Sequence, residues 1–200
     1  MSRAPVLLVP LAFAACNDTT NPEEINVNEV ITTVALAFTP SAGGAPLEFR
    51  WADPENDGSP VIDDIVLSDA DDYDLAVSFL NELEDPPEDI TEEVDAESDQ
   101  HQVFFTGTAV ESESTGANPG ASITIAYADT DANGLPLGLA TTVTTLGTGM
   151  GTLVVTLRHM PPENDTAVKV DGLAEQVATG GISSLPGDTD AGVTFDVEVQ

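Results

Sequence analysis

The chain has 200 residues, 41% of them hydrophobic, which is enough for one domain with a core and too apolar for a disordered acidic tail. Lys and Arg total 4 against 36 Asp and Glu, a formal net charge of −32, so the clustered cations that hold nucleic-acid phosphates or an anionic lipid surface are missing. A single cysteine excludes a disulfide framework and a multi-cysteine metal site.

Residues 1–15 read as an address. Arg3 precedes an apolar run from Ala4 to Ala15 (APVLLVPLAFAA) that ends in small residues, the layout of a secretory signal peptide. The run is shorter than the ~20 residues that span a bilayer. Cys16 follows at once, and Leu11-Ala-Phe-Ala-Ala-Cys16 resembles the lipobox of bacterial lipoproteins, in which the cysteine is acylated and becomes the first mature residue. Several acyl chains on Cys16 would anchor the chain stably, which points to the cell envelope and, within it, to the outer membrane. Loss of residues 1–15 also removes Arg3 and leaves Arg50, Arg158 and Lys169 as the basic side chains, making the net charge one unit more negative. Residues 16–28 (CNDTTNPEEINVN) are polar, contain Pro22 and show no sustained period, so they are expected to be a flexible tether.

From Glu29 onward the dominant period is two. Val30, Thr32, Val34, Leu36 and Phe38 share one strand face; Leu47, Phe49 and Trp51 share the next; Val61 to Leu67 reads as one strand; and Tyr73, Leu75, Val77 and Phe79 alternate cleanly. Asp89-Ile-Thr-Glu92 resembles a capping box and opens a helix expected to run to about Gln100 on the sheet edge. Its Ile90 and Val94 face inward, and Glu92, Glu93, Asp95, Glu97 and Asp99 face water. Strands resume at Val103 and Phe105, at Ile123 to Tyr127, in the Thr-rich Leu139 to Leu146, and at Leu153, Val155 and Leu157. After Met160 a short strand is expected at Ala167 to Val170, then a long loop leading to the last strand, in which Val193, Phe195, Val197 and Val199 alternate with Thr194, Asp196 and Glu198. Gly, Pro, Asn and Asp clusters separate these runs, and no βαβ alternation occurs. The expected fold is all-β: one antiparallel β-sandwich over residues 29–200, immunoglobulin-like or jelly-roll-like, with about nine strands and one short helix.

Three groups of side chains could carry chemistry. Asp53, Glu55, Asp57 and Asp64 sit at calcium-loop spacing around Gly58, and Asp129, Asp131 and Asn133 do the same before Gly134; each set suits a structural Ca²⁺ ion, although Asp57-Gly58 and Asn133-Gly134 are also ordinary turn pairs. His101 shares a face with Val103 and Phe105, and His159 with Leu153, Val155 and Leu157, so both point to the core side. If their strands are neighbours the two imidazoles could meet, either as hydrogen-bonded structural residues or, with a carboxylate, as a ligand pair for a transition metal or a proton. A nucleophile elbow and a phosphate loop are both missing, so no catalytic residue is assigned.

The acid is uneven. Residues 53–99 hold 19 of the 36 carboxylates and no Lys or Arg. With one lysine in the whole chain, this composition resembles a halophile surface more than one acidic binding site.

Taken together, Glu82 to Phe105 (ELEDPPEDITEEVDAESDQHQVFF), Tyr127 to Leu139 (YADTDANGLPLGL), Gly151 to His159 (GTLVVTLRH) and the closing VTFDVEVQ resemble a family of small bacterial lipoproteins of unknown function, sometimes labelled "type 1 periplasmic binding fold". That resemblance implies that the His101 and His159 segments belong to the family pattern and brings no activity with it. The expected function is a noncatalytic binding or structural module of the cell envelope, held by lipid and facing an envelope protein or a small ligand as partner, with no cofactor required beyond a candidate structural Ca²⁺. The alternative is a periplasmic solute- or metal-binding lipoprotein that presents its ligand to a membrane partner.

Overall fold

The computed structural model describes residues 29–200; the expected signal peptide, the acylation site at Cys16 and the tether lie outside the described residues. The described chain is mostly β. Its elements are β1 (Thr33–Pro40), β2 (Leu47–Ala52), β3 (Val61–Ile62), β4 (Ile65–Leu67), β5 (Tyr73–Asn81), β6 (Glu88–Asp89), α1 (Ile90–Ala96), β7 (His101–Thr106), β8 (Val110–Glu111), β9 (Ile123–Tyr127), β10 (Ala140–Thr145), β11 (Gly149–His159), α2 (Leu173–Gly180) and β12 (Asp188–Val199).

These strands form two sheets. One runs β3-β2-β1-β5-β10-β9-β8, with β6 also paired to β5; the other runs β4-β12-β11-β7. Most pairings are antiparallel, but β8 with β9 and β12 with β4 are parallel, so both sheets are of mixed orientation. The twelve strands of the described residues exceed the nine or so expected, and the three additional ones, β3, β6 and β8, are two residues long and too short to show a period.

The shared core follows the alternation. Tyr73, Leu75, Val77 and Phe79 of β5 meet Leu153, Val155 and Leu157 of β11 and Val193, Phe195 and Val197 of β12 in one buried cluster drawn from both sheets. Val30 departs from the expected pattern: it precedes β1 and is exposed.

Val61 to Leu67, expected as one strand, is two. Val61 and Ile62 pair with β2 in the first sheet, whereas Ile65 to Leu67 pair with β12 in the second. Asp63 makes the break: its N–H donates to the Arg50 carbonyl at 2.9 Å and its carboxylate accepts the Arg50 N–H at 2.8 Å, which holds the first half while the chain crosses to the other sheet.

Two helices replace the single one expected. In α1 the Asp89 side chain accepts the Thr91 N–H at 3.0 Å, as its N-cap position predicts, and Ile90 and Val94 are buried; the helix ends sooner than expected, at Ala96. The second helix, α2, lies in the segment expected to be a long loop, and Ala167 to Val170 is not a strand. Leu173, Ala174 and Val177 of α2 pack on Phe104, Met160 and Leu185, so the outer face of β7 and the end of β11 is buried as well. Every residue from His101 to Phe105 is consequently buried. A one-sided alternation does not anticipate that second layer.

Candidate functional site

β7 begins at His101 and β11 ends at His159, and the antiparallel register sets these two residues directly opposite each other. Their rings stack with centroids 4.4 Å apart and planes 15° from parallel, at 0% and 5% exposure. Two further groups complete the cluster. Glu29, the first described residue, brings Oε1 to 3.6 Å from His101 Nε2 and Oε2 to 3.9 Å from His159 Nδ1. Asp190 brings Oδ2 to 3.9 Å from His101 Nε2, and its side chain is fully buried.

A β-bulge explains the position of Asp190. Along the β11–β12 ladder Leu157 faces Ala191 and Arg158 faces Thr189, which leaves Asp190 as the extra residue. Strict alternation would send Asp190 to the solvent side, opposite Ala191 and Val193; the bulge turns it inward instead. The loop ahead of it is fastened by Arg158. That guanidinium donates to Thr189 Oγ1 at 2.8 Å, to the Leu185 carbonyl at 3.1 Å, to the Pro186 carbonyl at 2.6 Å and to the Gly187 carbonyl. Gly187 itself has φ +73°, and a Cβ there would collide with the His159 carbonyl oxygen, so glycine is required where the loop passes the histidine.

The tautomer of His101 follows from its other nitrogen. Nδ1 lies 3.1 Å from the Glu97 carbonyl, which can only accept, so Nδ1 carries a proton and Nε2 of the neutral ring presents its lone pair to Glu29 and Asp190. His159 makes no hydrogen bond through either ring nitrogen. Glu97, at the end of α1, is half-buried and also contributes a carboxylate: Glu29, Glu97, His101 and His159 each offer a ligand-type atom, all within 4.8 Å of one another.

The electrostatics are those of two acids and two bases confined together. Burial alone would raise Glu29, but the His101 imidazole and the Asp190 carboxyl beside it outweigh burial and hold it at about 2. Burial pushes Asp190 up to about 8, with the Glu29 carboxylate alongside adding to the rise. The two carboxyls thus hold one proton between them over a wide range, on Asp190. Burial would lower His101 too, yet Glu29, the Glu97 carbonyl and Asp190 raise it above its usual value, whereas His159 is lowered by burial and by the His101 ring against it.

In the two calcium-type loops the aspartates accept hydrogen bonds from their own turns. Asp53 accepts the N–H groups of Asp57 and Gly58 at 3.1 and 2.8 Å and caps its own turn; Glu55 and Asp64 are exposed. Asp129 accepts from Gly138 and Ala140 at 2.7 and 2.8 Å, and Asp131 from Asn133 and Leu135 at 2.8 and 2.9 Å. The remaining oxygen of Asp131 meets the Lys169 ammonium at 2.9 Å, both side chains being fully buried, and Lys169 also donates to the Ser98 carbonyl at 2.7 Å. A cation therefore already faces this loop, supplied by the chain itself.

Glu29, Asp190 and Glu97 are the members that the sequence reading did not select; Glu97, expected to face water, is half-buried. Glu29 stands at the end of the polar tether, and Asp190 falls on the polar phase of the last strand. None of Glu29, His101, His159 and Asp190 lines either of two grooves of about 790 and 470 Å³. A scan against protein-family models, a search of curated proteins and a search of solved structures each returned no match.

Proposed function

We propose that the chain is a noncatalytic binding module of the cell envelope, acylated at Cys16 and carried on a short tether, with its two sheets packed as a β-sandwich. The observation that supports a binding role over catalysis is a separation. The side chains able to move protons are buried together, while a groove of about 790 Å³ lies elsewhere, between α2 and the outer face of β7 and β11. Thr106, Thr108, Ser114, Asn118, Met150 and Val177 are among the residues lining that groove. Its lining contains no charged residue, in a chain of net charge −32, which favours a neutral ligand or a neutral surface on a partner. The lipoprotein resemblance of the sequence fits this reading.

The anchor is tested by Cys16→Ser. The variant is expected to leave the membrane fraction and accumulate as soluble chain; unchanged membrane retention overturns the anchor. The acidic surface is tested by melting the protein in a NaCl series. Carboxylates crowded within about a Debye length, ~8 Å at physiological ionic strength, repel less as salt rises. The thermal midpoint is expected to climb steadily with NaCl, and a flat curve removes the salt-adapted reading.

A further inference from the structure

Buried polar atoms without a partner are rare in folded proteins, and each requires a physical reason. Among the described residues ten buried side-chain nitrogens and oxygens have neither a hydrogen bond nor an ion-pair contact as short as that of Asp131 with Lys169, and six of them belong to one cluster: Glu29 Oε2, His101 Nε2, both ring nitrogens of His159 and both oxygens of Asp190. The other four are scattered, so the concentration in one place is a property of that place.

The distances indicate what is missing. At 3.6 to 3.9 Å the separations from His101 Nε2 to Glu29 and Asp190, and from His159 Nδ1 to Glu29, are too long for hydrogen bonds. They are slightly longer than the edge of a tetrahedron built on bonds of about 2.0 Å, roughly 3.3 Å. We propose that His101, His159 and Glu29, with the neighbouring carboxylates of Glu97 and Asp190 to complete the shell, bind one divalent transition-metal ion of the Zn²⁺ class. Two imidazoles with carboxylates suit such an ion, whereas Ca²⁺ requires six to eight oxygen ligands. The supporting shell is present as well. His101 donates Nδ1–H to the Glu97 carbonyl, the contact that directs the lone pair of the opposite nitrogen at a metal. His159 is the member that must move, because two rings only 15° from parallel cannot aim both lone pairs at one point; no hydrogen bond on either nitrogen has to be broken for it to turn. The site would tie Glu29, where the tether meets the domain, to the ends of β7, β11 and the bulge of β12. The inference does not rest on the anchor or on the groove, since each ligand belongs to the folded part.

The test uses the full chain, stripped with a chelator and titrated separately with Zn²⁺, Co²⁺ and Ca²⁺. One equivalent of Zn²⁺ is expected to bind, to raise the thermal midpoint by about 5 °C, and to displace Co²⁺, whose visible bands report a four-coordinate nitrogen and oxygen shell. His101→Ala and His159→Ala are expected to weaken Zn²⁺ at least about 100-fold, and Asp190→Asn about 10-fold. Should the alanine variants fail to fold, Glu29→Gln at the start of the domain keeps the shape and is expected to weaken Zn²⁺ by a similar factor to Asp190→Asn. Lack of stoichiometric binding overturns the proposal. So does Zn²⁺ affinity unchanged in the folded variants, or saturation by Ca²⁺ at the same concentration. Failure here leaves the membrane partition of Cys16→Ser unaffected, so the two readings fail separately.

Discussion

Asp131→Ala is expected to lower the unfolding free energy by about 3–5 kcal/mol, the usual loss when one partner of a buried ion pair is removed and the other charge stays. The value belongs at the upper end because Lys169 is buried and has one other acceptor, the Ser98 carbonyl. The pair is strained in a defined sense. Burial outweighs the carboxylate for the ammonium and pulls the Lys169 pKa down; for Asp131 burial acts upward, but the Leu135 and Asn133 N–H groups and the ammonium win and lower it. The acid side of the pH profile follows. Since Asp131 titrates lower in the folded chain than its unfolded value of about 3.9, its contribution is fully present above that value and is lost as pH falls through the folded pKa. Urea melts of wild type and Asp131→Ala should therefore differ by a constant amount between about pH 5 and neutrality and converge in stronger acid. Equal midpoints at neutral pH would show that the pair contributes nothing. The double variant Asp131→Asn with Lys169→Met is expected to recover most of the loss, because it leaves no unpaired charge and keeps an acceptor for the Asn133 and Leu135 N–H groups.

Arg158→Met is expected to cost about 2–4 kcal/mol, less than the sum of its hydrogen bonds because the guanidinium gives up its hydration to make them. What it fastens matters more than the total. Four acceptors between Leu185 and Thr189 converge on one side chain, and the bulge that presents Asp190 begins at the end of that loop. Arg158→Lys should recover only part of the stability, since one ammonium cannot span acceptors arranged for a planar fork. Amide exchange at residues 185–190 is the local readout: it should accelerate in Arg158→Met far more than exchange in β5. Uniform acceleration across both sheets would mean that Arg158 acts on global stability alone.

Much of this architecture can be read in particular residues. Tyr73 to Phe79 and Val193 to Val199 alternate because each strand has one face on the shared core and one in water, and their burial keeps that alternation. Asp89 marks its helix because a side-chain oxygen is needed where the first N–H groups lack partners. The helix α2 was hidden for a different reason. Its Leu173, Ala174 and Val177 are too few for a clear period, and the glycines at 172, 180 and 181 resemble loop punctuation until Phe104 and Met160 supply the surface they cover. Lys169 followed the same course, because a lone lysine among exposed carboxylates is ordinarily at the surface, and only the packing of the 129–135 loop against residues 98 and 169 buries it.

For the candidate site, the sequence by itself determined which face of the chain each histidine occupies, because a period of two is a local property of one strand. It also determined the extreme negative charge and the motif at Cys16, which depend on composition and on adjacent residues. Only the tertiary structure decided that His101 stands opposite His159, that Glu29 folds back onto both, and that Asp190 turns inward with them. The physical reason is that register and bulges are set by the partner strand. One extra residue in β12 relative to β11 reverses the face that alternation assigns to Asp190, and nothing in the residues around Asp190 records where the partner strand will place that extra residue.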